Sequence, residues 1–210
     1  HDVVMLVGGS MMYIDAVCQG IDDIPTVDTK TREFWKNEYA LKGLEYIQEE
    51  LKRLDPEHYN EVDLRNYKRV LHALEICTIA GKPFSEIRTG IKKVRPFNIV
   101  KLGLTRERQE LYERINKRVD VMMQEGLLAE AEQFYPFRHL NTLNTVGYKE
   151  LYEYMDGKWD LDFAVNMIRQ DSRRYAKKQL SWFNRDKEIA WFHPDDKDAV
   201  FQYLKNKINN

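Results

Sequence analysis

Cysteine is nearly absent from the chain: Cys18 and Cys77 are the two in 210 residues, and they form no Cys-x-x-Cys pair. Neither a disulfide framework nor a zinc ribbon can be built from them. The five histidines, His1, His58, His72, His139 and His193, fall at no metal-ligand spacing, so no metal site is expected from side chains. No apolar run approaches the roughly 18 residues that a membrane span needs. The opening His1-Asp2 carries neither the basic stretch nor the small-residue cleavage site of a secretion signal. Internal repeats and low-complexity stretches are missing as well. The expectation is a soluble, reduced, cytoplasmic protein that does not associate with membranes. Hydrophobic residues make up 43% of the chain, which excludes general disorder. The length suits one large domain or two small ones.

Charge is present in quantity but unevenly spread. The net charge is -1, yet Val165 to Arg185 holds six bases (Arg169, Arg173, Arg174, Lys177, Lys178, Arg185) against one acid, Asp171, a local balance of +5. From Glu33 to Glu61 eight acids face four bases. A near-neutral chain with one concentrated basic segment points to a local polyanion contact. Arg169, Arg173 and Lys177 recur at four-residue steps, and Arg174 and Lys178 form the adjacent column. Like charges at this spacing cost about 0.2–0.5 kcal/mol per pair in an isolated helix. Such a helix needs acidic neighbours or an anionic ligand. Gln179, Ser181, Trp182 and Phe183 continue the segment, a composition that suits phosphate contacts with base stacking nearby. The alternative is a solvated face whose Trp182 and Phe183 belong to the core.

Val3 to Gly9 is a continuous apolar run closed by paired glycines, the pattern of a strand buried on both faces of a parallel sheet. Ser10 is placed to cap a following helix that stops at Gly20. Few other strands are expected: Phe97 to Leu104 and the short Ile189 to Phe192. Helical periodicity dominates elsewhere, over Lys30 to Leu54, Asp63 to Ala80, Arg106 to Glu125, Leu127 to Phe134, Tyr148 to Met155 and Leu161 to Phe183. The fold class is therefore α/β, mostly helical in this chain, with a helical insertion.

Three places could carry chemistry. The turn Gly8-Gly9-Ser10 lets a ligand approach the backbone at a helix N-terminus, or is simply a tight turn with a capping serine. Arg118 sits at the edge of the Leu111, Ile115, Val119 and Met122 stripe. Position alone favours a stem lying along the apolar surface with a wet guanidinium; the alternative is a fork holding a phosphate. Asn144 to Lys149 combines glycine, hydroxyl and aromatic groups in a loop entering a helix, a base-contacting turn or a plain helix start. Asp195, Asp196 and Asp198 read as a solvated loop and helix start.

Together these segments resemble the tRNA dimethylallyltransferase family of the bacterial type. The landmarks are VGGSMMYIDA near the start, DLRNYKRVLHALEI at Asp63 to Ile76, LYERINKRVDVMMQEGLLAE at Leu111 to Glu130, TVGYKEL at Thr145 to Leu151 and SRRYAKKQLSWFNR at Ser172 to Arg185. The resemblance implies an ATP-binding, P-loop NTPase-like parallel-sheet core over residues 1–21 and 95–210, with a helical insertion over residues 22–94 that grips the anticodon arm. It implies transfer of a dimethylallyl group from dimethylallyl diphosphate to N6 of adenosine 37, with Mg²⁺ as cofactor, by a monomer. A base within the stack is beyond reach, so the adenine must be flipped out. Matching positions give Arg118 a diphosphate-binding and catalytic role and Ser10 a place in the catalytic channel. They give tRNA contacts to Arg32, Lys68, Arg69, His72, Asn144, Thr145, Gly147, Tyr148, Lys149, Arg173, Lys177, Lys178, Gln179, Ser181 and Trp182. Asn144 and Asn184 depart from the arginine that some members carry.

The family's G-x-x-x-x-G-K-[ST] loop and the base aspartate that follows it do not occur in this sequence. That loop is the physical means of cradling a diphosphate. The expectation is an N-terminal part lying outside these 210 residues, without which they bind RNA but do not catalyse. A non-catalytic RNA-binding fragment is accordingly the alternative reading. A P-loop kinase fits the opening strand but leaves the basic helix without a role.

Overall fold

The computed structural model describes residues 1–208 and divides into two units, residues 1–14 with 97–210 and residues 15–96. Among the described residues, no helix is long and apolar enough to cross a membrane. A first helix, α1 (Met11–Gln19), spans the division. Its last carbonyls are satisfied within the second unit: the Arg95 guanidinium donates to Val17 O at 2.8 Å and Ala16 O at 2.6 Å.

The second unit is built on α2 (Thr29–Leu54), α3 (Pro56–Glu61), α4 (Tyr67–Ala80) and α5 (Phe84–Ile87). Asp28 caps α2 by accepting from Thr31 N at 2.8 Å. Periodicity alone predicts one straight helix over α2; the structure breaks it at Gly43, whose φ of 81° only glycine adopts readily. The helix expected from Asp63 begins instead at Tyr67, because Asn66 accepts from Arg69 N and caps there. Trp35, Ile47 and Leu51 of α2 pack against Val70, Leu71, Leu74 and Cys77 of α4, with Phe84 closing the core.

Asp55 is the polar tie in this unit. Its side chain is solvent-inaccessible and accepts from His58 N at 2.9 Å and from Ser85 N and Oγ, each at 2.8 Å. Burial pushes its carboxyl up, but these donors outweigh burial and hold it below the ordinary carboxylate range. A depressed acid adds stability above its unfolded pKa, and that stability is lost as the pH falls through the folded one. Asp55→Ala, which strands one buried and two half-buried donors, is expected to cost about 3 kcal/mol. Asp55→Asn is expected to flatten the acid limb of the unfolding profile. An unchanged limb by circular dichroism against pH contradicts this account.

The first unit carries β1 (Leu102–Leu104) and β2 (Ala190–Phe192), paired in parallel with Gly103 opposite Trp191. A Cβ on Gly103 would lie 2.5 Å from the Trp191 ring, so this strand position admits no side chain. The helices are α6 (Arg108–Gln124), α7 (Leu127–Phe134), α8 (Tyr148–Met155), α9 (Leu161–Phe183) and α10 (Lys197–Ile208). Val119, Ala131, Leu151, Tyr152 and Ile168 form their shared core. The remaining expected strand is overturned. Val3 to Gly9 has no regular structure, and Val4 and Val7 are 80% and 82% exposed. A strand's backbone groups need a ladder partner, and none lies beside this stretch among the described residues.

Candidate functional site

The basic helix α9 packs along α6, and the packing sorts its cations. Arg169 donates from Nε to Asp120 at 3.2 Å and from Nη1 to Asn166 at 2.6 Å. One turn on, Arg173 Nη1 donates to Asn116 Oδ1 at 2.5 Å. Asp120 and Asn116 are themselves one turn apart, so two antiparallel helices are clasped by two successive contacts. Arg174 pairs with Asp171 at 2.9 Å. Lys177 and Lys178, the next positions of the two columns, are exposed and have no hydrogen-bond or ion-pair partner among the described residues. Carboxylates thus offset the charge of Arg169 and Arg174, the Asn116 amide orients Arg173 without offsetting its charge, and the two lysines are left open.

Past the lysines, the helix meets the glycine turn. Gln179 Nε2 donates to Gly9 O at 2.7 Å, placing Ser10 beside the basic segment with its side chain exposed. A Cβ on Gly9 would fall 2.2 Å from Gln179 Nε2. Gly9→Ala is therefore expected to break this bond at a cost of about 1 kcal/mol, and to add nothing once Gln179 is alanine. A double-mutant unfolding cycle reads this; additive losses would disprove the coupling. Ser181 is exposed, Trp182 is half-buried, and the Arg185 guanidinium stacks 3.8 Å over its ring.

Arg118 is exposed and pairs with no described residue. It stands two residues from Asn116, about 200° around α6 at 3.6 residues per turn, away from the clasp. No polar contact joins it to Ser10 or to the lysines.

The turn before α8 is more tightly built than its sequence suggests. Gly147 takes φ 107°, and its N–H donates to Glu150 Oε2 at 2.7 Å. Glu150 is 1% exposed; its other oxygen sits 3.2 Å from Lys149 Nζ, outside hydrogen-bonding alignment. Burial pushes the Glu150 carboxyl up, against the pull of the Gly147 amide and Lys149. Lys149 Nζ also donates to Asp171 on α9 at 2.8 Å, tying the turn to the basic helix. Tyr148 gives its hydroxyl to Glu130; that bond, then partial burial, pushes the phenol up to about 12, so it stays a donor at neutral pH. Asn144 and Thr145 are exposed beside it.

In the second unit, Arg32, Lys68, Arg69 and His72 are all exposed. Arg32 Nε and His72 Nδ1 flank the buried Glu75 carboxylate at 3.9 and 3.8 Å. They hold one face of α2 and α4, with Lys68 and His72 one turn apart. Sequence reasoning missed Asn116 and Asp120 as the partners of the basic helix. Their four-residue spacing, matching that of Arg169 and Arg173, was the available signal. Among the described residues, no group of histidine, cysteine, aspartate and glutamate side chains is arranged to hold a metal ion.

Comparison with known proteins supplies what the geometry does not. The family model for IPP transferase matches residues 1–186. The tRNA dimethylallyltransferase 1 of Phocaeicola vulgatus is 60% identical over 204 residues, covering 97% of this chain and 68% of the relative. Its Bacteroides fragilis counterpart is 59% identical over 99% of this chain and 69% of its own length. The crystal structure of full-length tRNA isopentenylpyrophosphate transferase from Bacillus halodurans superposes with a TM-score of 0.58 at 33% identity, over 94% of this chain and 64% of that one. A eukaryotic dimethylallyltransferase captured acting on tRNA shares the fold, with a TM-score of 0.68 at 24% identity over 89% of this chain and 50% of its own. The chain thus spans about two-thirds of its curated relatives' length. With a family model running from the exposed Val3–Gly9 stretch through the whole of the basic helix, the chain belongs to the IPP transferase family.

Proposed function

We propose that the protein transfers a dimethylallyl group from dimethylallyl diphosphate to N6 of adenosine 37 in the anticodon stem-loop of tRNA. The N6–C1 bond forms, the C1–O bond breaks, diphosphate leaves and N6 loses a proton. The observation that carries the reading is the identity with curated tRNA dimethylallyltransferases along nearly the whole of this chain. The geometry supports its RNA half: Lys177 and Lys178 have no partner among the described residues, whereas Arg169 and Arg174 are paired with acids, and the lysines stand beside the turn that positions Ser10. Phosphates of the anticodon arm would meet these lysines, and the Arg32, Lys68, Arg69 and His72 face would give the second unit its own contact. Arg118, which pairs with no described residue, would hold the diphosphate as it leaves. Mg²⁺ would neutralise further charge on that group. The protein would act as a cytoplasmic monomer.

The test is incubation of the full-length protein with labelled dimethylallyl diphosphate, Mg²⁺ and unmodified tRNA, followed by mass analysis of the nucleosides. Label is expected on adenosine 37 and absent when that base is guanosine. Label at another base displaces the position, and no label on any tRNA overturns the reaction. RNA binding without label favours the non-catalytic alternative.

A further inference from the structure

Glu75 carries a buried charge in α4. Its side chain is 7% exposed, and Ala73, Leu74, Ile76 and Cys77 of the same helix are buried around it in sequence. A carboxylate taken out of water is costly unless something offsets its charge. Among the described residues its oxygens accept no hydrogen bond, and two ion pairs take that part. Arg32 Nε of α2 stands 3.9 Å from Oε1, and His72 Nδ1, three residues earlier on α4, stands 3.8 Å from Oε2.

The packing of α2 on α4 does not need this acid. Three residues further along each helix, Trp35 Nε1 donates to Thr78 Oγ1 at 2.9 Å, and Thr78 donates in turn to Leu74 O at 2.8 Å. Trp35, Ile47 and Leu51 already seal the two helices together through apolar contacts. An apolar side chain at position 75 would spare the helix a buried charge. The carboxylate is therefore placed for its two neighbours.

Its effect on them follows from the atoms it faces. Arg32 turns Nε to the acid, so its Nη nitrogens have no acceptor among the described residues. At 3.9 Å the contact is too long for a hydrogen bond, so it orients the guanidinium without consuming a donor. The fork stays open for two oxygens of a phosphate. His72 is held in the same manner, with Nδ1 towards Glu75 and its ring meeting Phe84 edge-on at 5.9 Å. Both side chains are about half exposed. A long side chain that is already oriented loses less freedom when it captures a ligand.

We infer that Glu75 is a positioning residue for RNA binding: from within the core it holds Arg32 by Nε and His72 by Nδ1, so that the open edge of the Arg32 guanidinium meets one phosphodiester of the RNA. The inference rests on the tRNA reading above and adds to it a group that itself never touches the RNA. The sign of its effect is distinctive. A bystander acid near a phosphate repels it, so neutralising that acid would tighten binding. Neutralising a positioning acid loosens it.

The experiment titrates a fluorescent anticodon-arm RNA with the full-length protein and with Glu75→Gln, Arg32→Ala, Arg32→Lys and the Glu75→Gln/Arg32→Ala double variant. Glu75→Gln is expected to weaken binding about three- to tenfold, although it removes a negative charge. In steady-state transfer the loss is expected in KM for tRNA with kcat kept, because the contact is the same in ground and transition states. In the Arg32→Ala background most of the loss is expected to vanish. Unchanged or tighter binding by Glu75→Gln overturns the proposal. An undiminished loss in the Arg32→Ala background also overturns it, since the acid then acts without Arg32. Should Glu75→Gln not fold, Arg32→Lys decides: with the charge kept and the fork lost, it is expected to bind about as weakly as Arg32→Ala, and full affinity overturns the proposal. In each of these cases binding by the parent protein keeps the tRNA reading. If the parent does not bind the RNA, the tRNA reading itself fails.

Discussion

Arg118→Ala is expected to lower kcat by about 10²–10³-fold while leaving the dissociation constant for tRNA unchanged. The charge that Arg118 would meet develops on the diphosphate as the allylic C–O bond breaks, so its contribution belongs to the transition state. Loss of an interaction made only there lowers kcat and kcat/KM together. Its guanidinium is exposed and pairs with no described residue, so the substitution disturbs no internal contact. Unfolding free energy is accordingly expected to change by less than about 0.5 kcal/mol. Arg118→Lys keeps the charge but loses the fork, and is expected to recover only part of the rate. Single-turnover transfer under saturating tRNA separates these effects. An unchanged rate removes Arg118 from the reaction, and a matching fall in tRNA affinity reassigns it to RNA binding.

Replacing Lys177 and Lys178 together by alanine is expected to weaken tRNA binding about tenfold or more and to reduce the slope of log K against log salt by about one per lysine. Arg169→Ala, two turns away in the same column, is expected to leave that slope unaltered. Its guanidinium is committed to Asp120 and Asn166. Its loss would appear as a stability change of about 0–1 kcal/mol, since the Asp120 side chain is 46% exposed. Fluorescence titration from low to moderate salt distinguishes the two. Equal slope changes for arginine and lysines would mean that the clasp opens when RNA binds.

The contrast shows where sequence reading succeeds and where it stops. Local periodicity is legible: α7, α8 and α9 begin and end where their apolar spacing and caps place them. The parallel pair formed by Leu102–Leu104 and Ala190–Phe192 falls within the two later strand segments. Val3 to Gly9 shows the limit, because composition reports an affinity for a sheet while pairing depends on what lies alongside. Gly43 shows another: its neighbours Leu41 and Leu44 keep a helical rhythm through a residue that breaks the helix. The basic helix was recognisable as charged, but its division into clasped arginines and free lysines depends on Asn116 and Asp120. Those partners lie some fifty residues earlier, beyond any local pattern.

The clasp between α6 and α9 carries one more consequence. Taken alone, its polar contacts are degenerate. Sliding α9 by one turn, about 5.4 Å, would set Arg173 against Asp120 and Lys177 against Asn116, a pairing of equal chemical merit. The same slip would bring Ser172 to the place of Ile168, which is 1% exposed, and Ile168 to the place of Ala164, which is fully buried. A hydroxyl would enter the core and an isoleucine would be forced into a slot sized for a methyl group. The apolar side of α9 is therefore the vernier that sets its polar side. A substitution that shrinks Ile168 and enlarges Ala164 would do more than loosen the core. It would leave the helix two nearly equivalent settings, and Lys177 and Lys178 two alternative stations along the surface.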